Sequence, residues 1–101
     1  MYVLMDIMVS PGGVGTSVSP YIAMCQKIFE DAGLTHTMHG YGTNVEGEWE
    51  GVMAAVKRCH EVLHAEGAVR ITSHMKLGTR IDKDQTMADK VISVQEKMIA
   101  K

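Results

Sequence analysis

The sequence predicts an α+β fold of the ferredoxin-like type, a four-stranded antiparallel sheet with helices on one face and a further C-terminal helix. Strand-like and helical apolar patterns follow one another in the order β-α-β-β-α-β before that last helix. Two interleaved β-α-β units of this kind form one antiparallel sheet, with the first and third strands in the middle. Because 101 residues is the length of one domain, we expect residues 1–101 to form a single domain.

The first predicted strand, residues 2–10, is largely apolar on both faces. One face carries Val3, Met5, Ile7 and Val9, and the other carries Tyr2, Leu4, Asp6, Met8 and Ser10. Such a strand is typically central and covered on both sides. Since the helices of a small sandwich cover only one face, we expect a second copy of the chain to cover the other.

The first helix and a hairpin come next. Ser19 is the expected N-cap, Pro20 suits the first helical position, and Gly33 is the expected stop. Two short extended runs, residues 34–41 and 44–48, then form the predicted hairpin.

The second half of the chain supplies a helix, a strand and the last helix. We predict the second helix from near Trp49 to a stop at Gly67. Residues 69–80 alternate cleanly as a strand, and the spacing of Thr86 and Asp89 resembles a capping box for the final helix.

Composition excludes several classes of function. A net charge of -2 and a pI near 6.2 indicate that the chain lacks the excess of positive charge that binds the phosphate backbone of nucleic acid. No apolar run approaches the ~20 residues of a membrane span, and the first residues lack the features of a signal peptide. Cys25 and Cys59 fall on predicted apolar helix faces, so we expect buried, reduced thiols and a cytoplasmic protein.

The segment His60-Glu61-Val62-Leu63-His64 matches the H-E-x-x-H pattern of zinc hydrolases, in which two histidines on one helix face grip the metal. In the longer form of this pattern a third histidine would stand at position 70, where the chain has Arg70. A helix C-cap explains Gly67, and the helix dipole favours a histidine at position 64. We therefore expect no metal site, and a metal-dependent hydrolase is an alternative only.

The glycine-rich residues 12–17 lie between a strand and a helix, where phosphate-binding loops occur. No lysine follows before Lys27, and Val18 stands where a dinucleotide fingerprint needs its third glycine. A flexible connection is the simpler interpretation, although Ser17, Ser19 and the free backbone donors of the helix start could hold a phosphate group.

The hairpin carries the pattern that most favours a ligand. Tyr41 and Trp49 bracket Asn44 and Glu46, and a cationic heteroaromatic ligand needs an aromatic face and a carboxylate. Equally, Trp49 could cap the core while Glu46 stays solvated.

No arrangement for covalent catalysis is evident, because neither cysteine has a histidine placed as its base. We therefore expect no catalytic residue. Asp6, His74 and Lys76 would form a polar cluster on the helix-free face, which is more typical of interface hydrogen bonds than of catalysis.

Short pieces in a fixed order run through nearly the full length of the chain: Pro11-Gly12, Ser17-Val18-Ser19 with Tyr21, Gly42-Thr43, Glu46-Gly47, residues 67–71, Arg80-Ile81-Asp82-Lys83, Lys90-Val91 and Ser93-Val94. In the order and spacing of these pieces the chain resembles the small thiamine-binding, ferredoxin-like proteins, a family once of unknown function and related to YkoF-type hydroxymethylpyrimidine binders. The sequence departs from the family at His39, where proline is frequent.

The resemblance implies a cytoplasmic homotetramer of sheet-packed dimers that binds thiamine or a pyrimidine precursor, without established catalysis and without a cofactor. By motif position it assigns Ser17, Ser19, Thr43 and Glu46 to the ligand. With the aromatic pattern of the hairpin, the predicted ligand-binding residues are Ser17, Ser19, Tyr41, Thr43, Asn44, Glu46 and Trp49. The alternatives are a hydrolase acting through His60, Glu61 and His64, and an oligomer that binds no small molecule.

Overall fold

A computed structural model describes residues 1–100 and confirms the predicted ferredoxin-like fold. The elements are β1 (Tyr2–Gly12), α1 (Ser19–Asp31), β2 (Thr35–His39), β3 (Gly42–Glu48), α2 (Trp49–Ala65), β4 (Arg70–Gly78) and α3 (Met87–Ile99). The four strands pair antiparallel in the order β2-β3-β1-β4, so β1 and β3 are the central strands, as predicted.

The core lies between one face of the sheet and helices α1 and α2. Alternation along β1 directs four apolar side chains into it, and each helix adds its own apolar stripe. The buried apolar residues of these elements are Val3, Met5, Ile7 and Val9 of β1, Cys25 and Phe29 of α1, Val45 of β3, and Val52, Ala55, Val56, Cys59 and Leu63 of α2.

Most predicted helix boundaries agree with the structure. Gly33 and Gly67 adopt positive φ values of 70° and 107° after α1 and α2, the conformation that ends a helix. At the start of α3, the Thr86 hydroxyl accepts from the Asp89 N–H and the Asp89 carboxylate accepts from the Thr86 N–H, both at 3.0 Å. The predicted capping box is therefore present.

The predicted N-cap of α1 was wrong by one residue. Val18 is the N-cap and Ser19 is the first helical residue, with no side-chain capping bond. The physical reason lies in the next two positions. Pro20 has no N–H to cap, and the Tyr21 N–H already donates to the Val18 carbonyl at 3.0 Å.

Helix α3 stands apart from the core. None of its residues is buried within residues 1–100, and Val91, Ile92, Val94, Met98 and Ile99 are all exposed. The sheet face opposite α1 and α2, here called the open face, meets the start of α3 at one end, where the Met87 N–H donates to Glu46. No helix of residues 1–100 is long and apolar enough to cross a membrane.

Candidate functional site

A groove of about 1030 Å³ crosses one end of the open face. Its floor comes from β1 and β4, and its wall comes from the segment between β4 and α3 and from the first turns of α3. The lining residues are Tyr2, Leu4, Asp6, Glu48, Lys76, Leu77, Gly78, Thr79, Arg80, Asp82, Lys83, Asp84, Gln85, Thr86, Met87 and Lys90. This volume is at the upper end of the range of about 300–1,000 Å³ for small-molecule sites.

Arg80 shapes the wall of the groove. Its Nε donates to Asp82 Oδ1 at 2.6 Å, its Nη2 to Asp82 Oδ2 at 2.5 Å, and its Nη1 to Gln85 Oε1 at 2.8 Å. A bidentate pair of this kind fixes geometry as well as adding energy. The hydrogen bonds from Arg80 also lower the pKa of Asp82 from an ordinary 3.8 to about 2.

Glu46 joins the sheet to the start of α3 beneath the groove. Its side chain is only 5% exposed, Oε1 accepts from the Tyr2 hydroxyl at 2.8 Å, and Oε2 accepts from the Met87 N–H at 3.1 Å. Met87 is the first residue of α3, so the carboxylate also lies at the positive end of the helix dipole. Burial and the bond to Glu46 raise the pKa of Tyr2 to about 12.

The groove itself presents two carboxylates from the central strands. Glu48 lies 2.8 Å from the Met1 ammonium, and Asp6 shares a 2.5 Å hydrogen bond with His39 Nε2. The β1–β3 register is continuous from Tyr2–Glu48 to Leu4–Glu46, so no bulge interrupts β3 and the two glutamates share the open face.

The ring of His39 reaches Asp6 across β3, from the edge strand β2. It passes over Gly42, its own pairing partner, and a Cβ added at Gly42 would lie 3.3 Å from His39 Cε1. On the other side of Asp6, its register partner on β4 is Lys76. No carboxylate oxygen of residues 1–100 lies within 4.0 Å of the Lys76 ammonium.

The structure places only two of the predicted ligand residues on the open face, Asn44 and Glu46, opposite Asp6 and Leu4 of β1. Thr43 faces the helices, where its hydroxyl accepts from Gln26 Nε2 at 2.8 Å.

The other four predicted residues are dispersed. Tyr41 is 87% exposed at the β2–β3 turn, and Trp49 is partly exposed at the first residue of α2. Ser17 and Ser19 are exposed near the start of α1. None of these four lines the groove, and ligand contact by them stays a prediction.

Sequence reasoning missed Tyr2 and Met87, which flank Glu46, and the lysines of the groove. One signal was available, because Arg80-Ile81-Asp82-Lys83 was among the pieces shared with the thiamine-binding proteins. These residues form the wall of the groove, but nothing local to them predicts that they fold over the open face.

The histidines of the H-E-x-x-H segment each have a partner inside the domain. His60 Nε2 shares a 2.6 Å hydrogen bond with the Ser73 hydroxyl, and His64 Nδ1 donates to the Ala68 carbonyl at 2.7 Å. Their ring centroids are 6.4 Å apart. Among residues 1–100 no group of three or more His, Cys, Asp or Glu side chains is placed to hold a metal ion.

Comparison with known families identifies the chain. A family model described as "Thiamine-binding protein" matches residues 5–95. The chain belongs to the thiamine-binding protein family. This finding confirms the resemblance seen in the sequence.

Two curated relatives support the assignment. The UPF0045 protein sll0230 of Synechocystis is 60% identical over 95 residues, which is 94% of this chain and 78% of the relative. The UPF0045 protein ECM15 of Eremothecium gossypii is 42% identical over 99 residues, covering 97% and 94% of the two chains. These names state no activity.

Solved structures agree on the fold. A hypothetical protein of Methanocaldococcus jannaschii superposes with a TM-score of 0.86 at 27% identity, over 94% of this chain and 97% of that one. A Thermotoga maritima protein with a suggested role in thiamine biosynthesis or salvage superposes with a TM-score of 0.79 at 22% identity, over 93% and 99%. The second likeness shows the fold alone.

Proposed function

We propose that this protein binds thiamine or a related pyrimidine in the groove on its open face and does not catalyse a reaction. The match of residues 5–95 to the thiamine-binding family is the observation that carries the proposal. The groove supports it, because it combines an aromatic ring, a few apolar side chains and carboxylates, the groups that a cationic heteroaromatic ligand needs.

The chemistry of the groove suits a positively charged ring. Tyr2 offers its aromatic face, and the bond from its hydroxyl to Glu46 holds that ring in place. Leu4 and Met87 supply apolar surface, and the Glu48 carboxylate offers negative charge from β3. A thiazolium or protonated aminopyrimidine would stack on the tyrosine and lie near the carboxylate.

In this proposal Glu46 acts through its neighbours. Both of its oxygens are already bonded, to Tyr2 and to Met87, which line the groove. Because Glu46 is only 5% exposed, these two neighbours stand between its carboxylate and a ligand in the groove. Glu46 is therefore proposed to position the site, and Glu48 and Asp6 to meet the ligand.

We also propose a cytoplasmic homo-oligomer, a tetramer of sheet-packed dimers. The exposed apolar residues of α3 and the exposed Met8 on the open face support the oligomer, because exposed apolar surface commonly marks an interface. Light scattering at micromolar concentration tests it, and a stable monomer would contradict it.

Isothermal calorimetry with thiamine and with hydroxymethylpyrimidine tests the binding proposal. In the wild type we expect saturable binding of one of the two. Glu48→Gln should weaken it about tenfold, the worth of one charge-assisted hydrogen bond. Glu61→Gln, an exposed substitution on α2 outside the groove, is the matched control and should change nothing.

The outcomes separate three interpretations. Absence of binding in the wild type would refute the proposal and leave an oligomer without ligand. Binding that survives Glu48→Gln and Asp6→Asn unchanged would move the site away from the groove, and the α1 start at Ser17 and Ser19 would be the next place to test.

A further inference from the structure

We propose that Lys76, Lys83 and Lys90 form an anion subsite at one side of the groove, and that the ligand held there is a phosphate ester of a heteroaromatic cation. This inference rests on the proposed function, because it assigns the second half of the same ligand. The charges of the groove carry it.

The three lysines come from three different parts of the chain and line one groove. Lys76 projects from β4, Lys83 from the segment that follows it, and Lys90 from the first turns of α3. Within residues 1–100 none of their ammonium groups lies within 4.0 Å of a carboxylate oxygen. They therefore keep their charge available to a ligand.

Most of the acids of the groove, in contrast, already have partners. Asp82 is paired with Arg80, Glu48 lies beside the Met1 ammonium, and Asp6 is turned toward His39 instead of toward Lys76. Asp84 also lines the groove, and among residues 1–100 it takes part in no ion pair. After the Arg80–Asp82 and Met1–Glu48 ion pairs are set aside, three lysines and two carboxylates, Asp6 and Asp84, remain, because a neutral His39 ring leaves the charge of Asp6 in place. The balance is still positive.

The ammonium group of Lys83 interacts with Asp89 in the first turn of α3. Hydrogen bonds from Thr86, with a smaller contribution from the Lys83 ammonium, lower the pKa of Asp89 in the first turn of α3. Lys83 therefore lies near the start of the helix that carries Lys90. Arg80 directs three of its five N–H donors to Asp82 and Gln85, and its charge is paired with Asp82, so we assign it to holding the segment while the unpaired lysines bind.

The arrangement across the sheet specifies the class of ligand. Asp6 and Glu48 project from the central strands β1 and β3, whereas the lysines lie on the edge strand β4 and beyond it. One molecule that spans this groove would place a cationic ring over the central strands and an anionic group over β4. Lysine binds phosphate as a point charge, without demanding the fixed geometry of a guanidinium pair.

Calorimetry with thiamine, thiamine monophosphate and thiamine diphosphate tests the subsite. The key variant is Lys76→Gln/Lys83→Gln/Lys90→Gln. The matched control, Lys27→Gln/Lys57→Gln/Lys97→Gln, removes the same charge from exposed positions outside the groove. Sodium pyrophosphate alone is titrated into all three proteins as a probe of the anion subsite without the ring.

We expect the wild type and the control to bind a phosphate ester at least about tenfold more tightly than thiamine, as charge-assisted bonds to the phosphate predict. The groove variant should lose this gain and keep its affinity for thiamine. Raising the salt from about 0.01 M to about 0.1 M, which shortens the screening length from about 30 to about 10 Å, should weaken the ester more than thiamine.

Equal affinities for thiamine and its esters, or a gain that survives the triple substitution in the groove, would overturn the subsite while leaving the proposed function intact. If neither thiamine, its esters nor hydroxymethylpyrimidine bind, the proposed function fails. Pyrophosphate binding that is lost only in the groove variant would then still support the anion subsite, and absence of pyrophosphate binding would refute it.

Discussion

Replacing Glu46 by glutamine should destabilise the fold, although the substitution changes one atom. The carboxylate is 5% exposed, and each oxygen accepts one hydrogen bond, from the Tyr2 hydroxyl and from the Met87 N–H. Glutamine offers one oxygen and one NH₂ group in the same place. It can accept from only one of the two donors, and to meet the NH₂ group the Tyr2 hydroxyl would have to turn and accept instead of donating.

The expected loss follows from these contacts. A hydrogen bond to a charged group is worth about 1.5–3 kcal/mol, and an anion at a helix N-terminus adds about 0.3–1 kcal/mol. Since glutamine retains one neutral bond, we expect Glu46→Gln to lower the free energy of unfolding by about 2–3 kcal/mol. Small domains have only about 5–15 kcal/mol in total, so this loss is large.

Urea unfolding followed by the fluorescence of the single tryptophan, Trp49, measures the effect. Protein concentration is held constant, because assembly would add to the apparent stability. Glu61→Gln, exposed in the middle of α2, is the control and should stay within about 0.5 kcal/mol of the wild type. An equally small change for Glu46→Gln would refute the stabilising role of this carboxylate.

A double-mutant cycle with Tyr2→Phe isolates the bond between the two side chains. Phenylalanine removes the hydroxyl donor and leaves the rest of the ring. If the bond is formed as described, the coupling energy should be about 0.5–3 kcal/mol, the range for residues in direct contact. Additive effects of Tyr2→Phe and Glu46→Gln would show that the bond contributes nothing.

Three further predictions concern other parts of the chain. Gly42→Ala should lower the free energy of unfolding in urea by about 1–3 kcal/mol, because the added Cβ would lie 2.7 Å from a carbonyl oxygen of β1. Gly40→Ala, whose Cβ would meet nothing within 4 Å, should be neutral, and equal effects of the two substitutions would contradict this packing. The pKa of the Asp82 carboxyl is lowered to about 2 in the folded protein, so this group stabilises the fold above about pH 4 and loses that effect as the pH falls toward 2. The difference in unfolding free energy between the wild type and Asp82→Asn should therefore shrink between about pH 4 and pH 2, and a constant difference would contradict the prediction. Cys25 and Cys59, 2% and 0% exposed, should react with a maleimide only after unfolding, and rapid labelling of the native protein, detected by mass spectrometry, would count against their burial.

Much of the fold was predictable because its signals are local. Alternation along β1, the positive-φ glycines at positions 33 and 67 and the capping box at Thr86 each act within a few residues, and the structure contains all of them. The misplaced cap at Ser19 shows the limit of such signals. The residue type was right for a cap, but the proline after it changed which N–H groups needed a partner.

The candidate site was harder to predict because its parts come together from distant positions. Thr43 and Glu46 are three positions apart on one strand, so alternation places their side chains on opposite faces of the sheet. The resemblance to the family nevertheless assigned both residues to one ligand. The burial of Glu46 depends on Met87, 41 positions further along the chain. No pattern around Glu46 signals a helix start from that distance.

The overall charge of the chain says little about the charge of the groove. A net charge of -2 averages over the whole surface, whereas in the groove Asp6 and Glu48 lie on the central strands and Lys76 lies on the edge strand β4. His39 acts on one member of this arrangement, the carboxylate of Asp6. By pairing with Asp6 across Gly42, His39 draws that carboxylate away from Lys76, its neighbour in register. A proline at position 39 could not make this bond, and Asp6 would then be free to neutralise the lysine. His39 thus helps to leave the Lys76 ammonium without a carboxylate partner among residues 1–100.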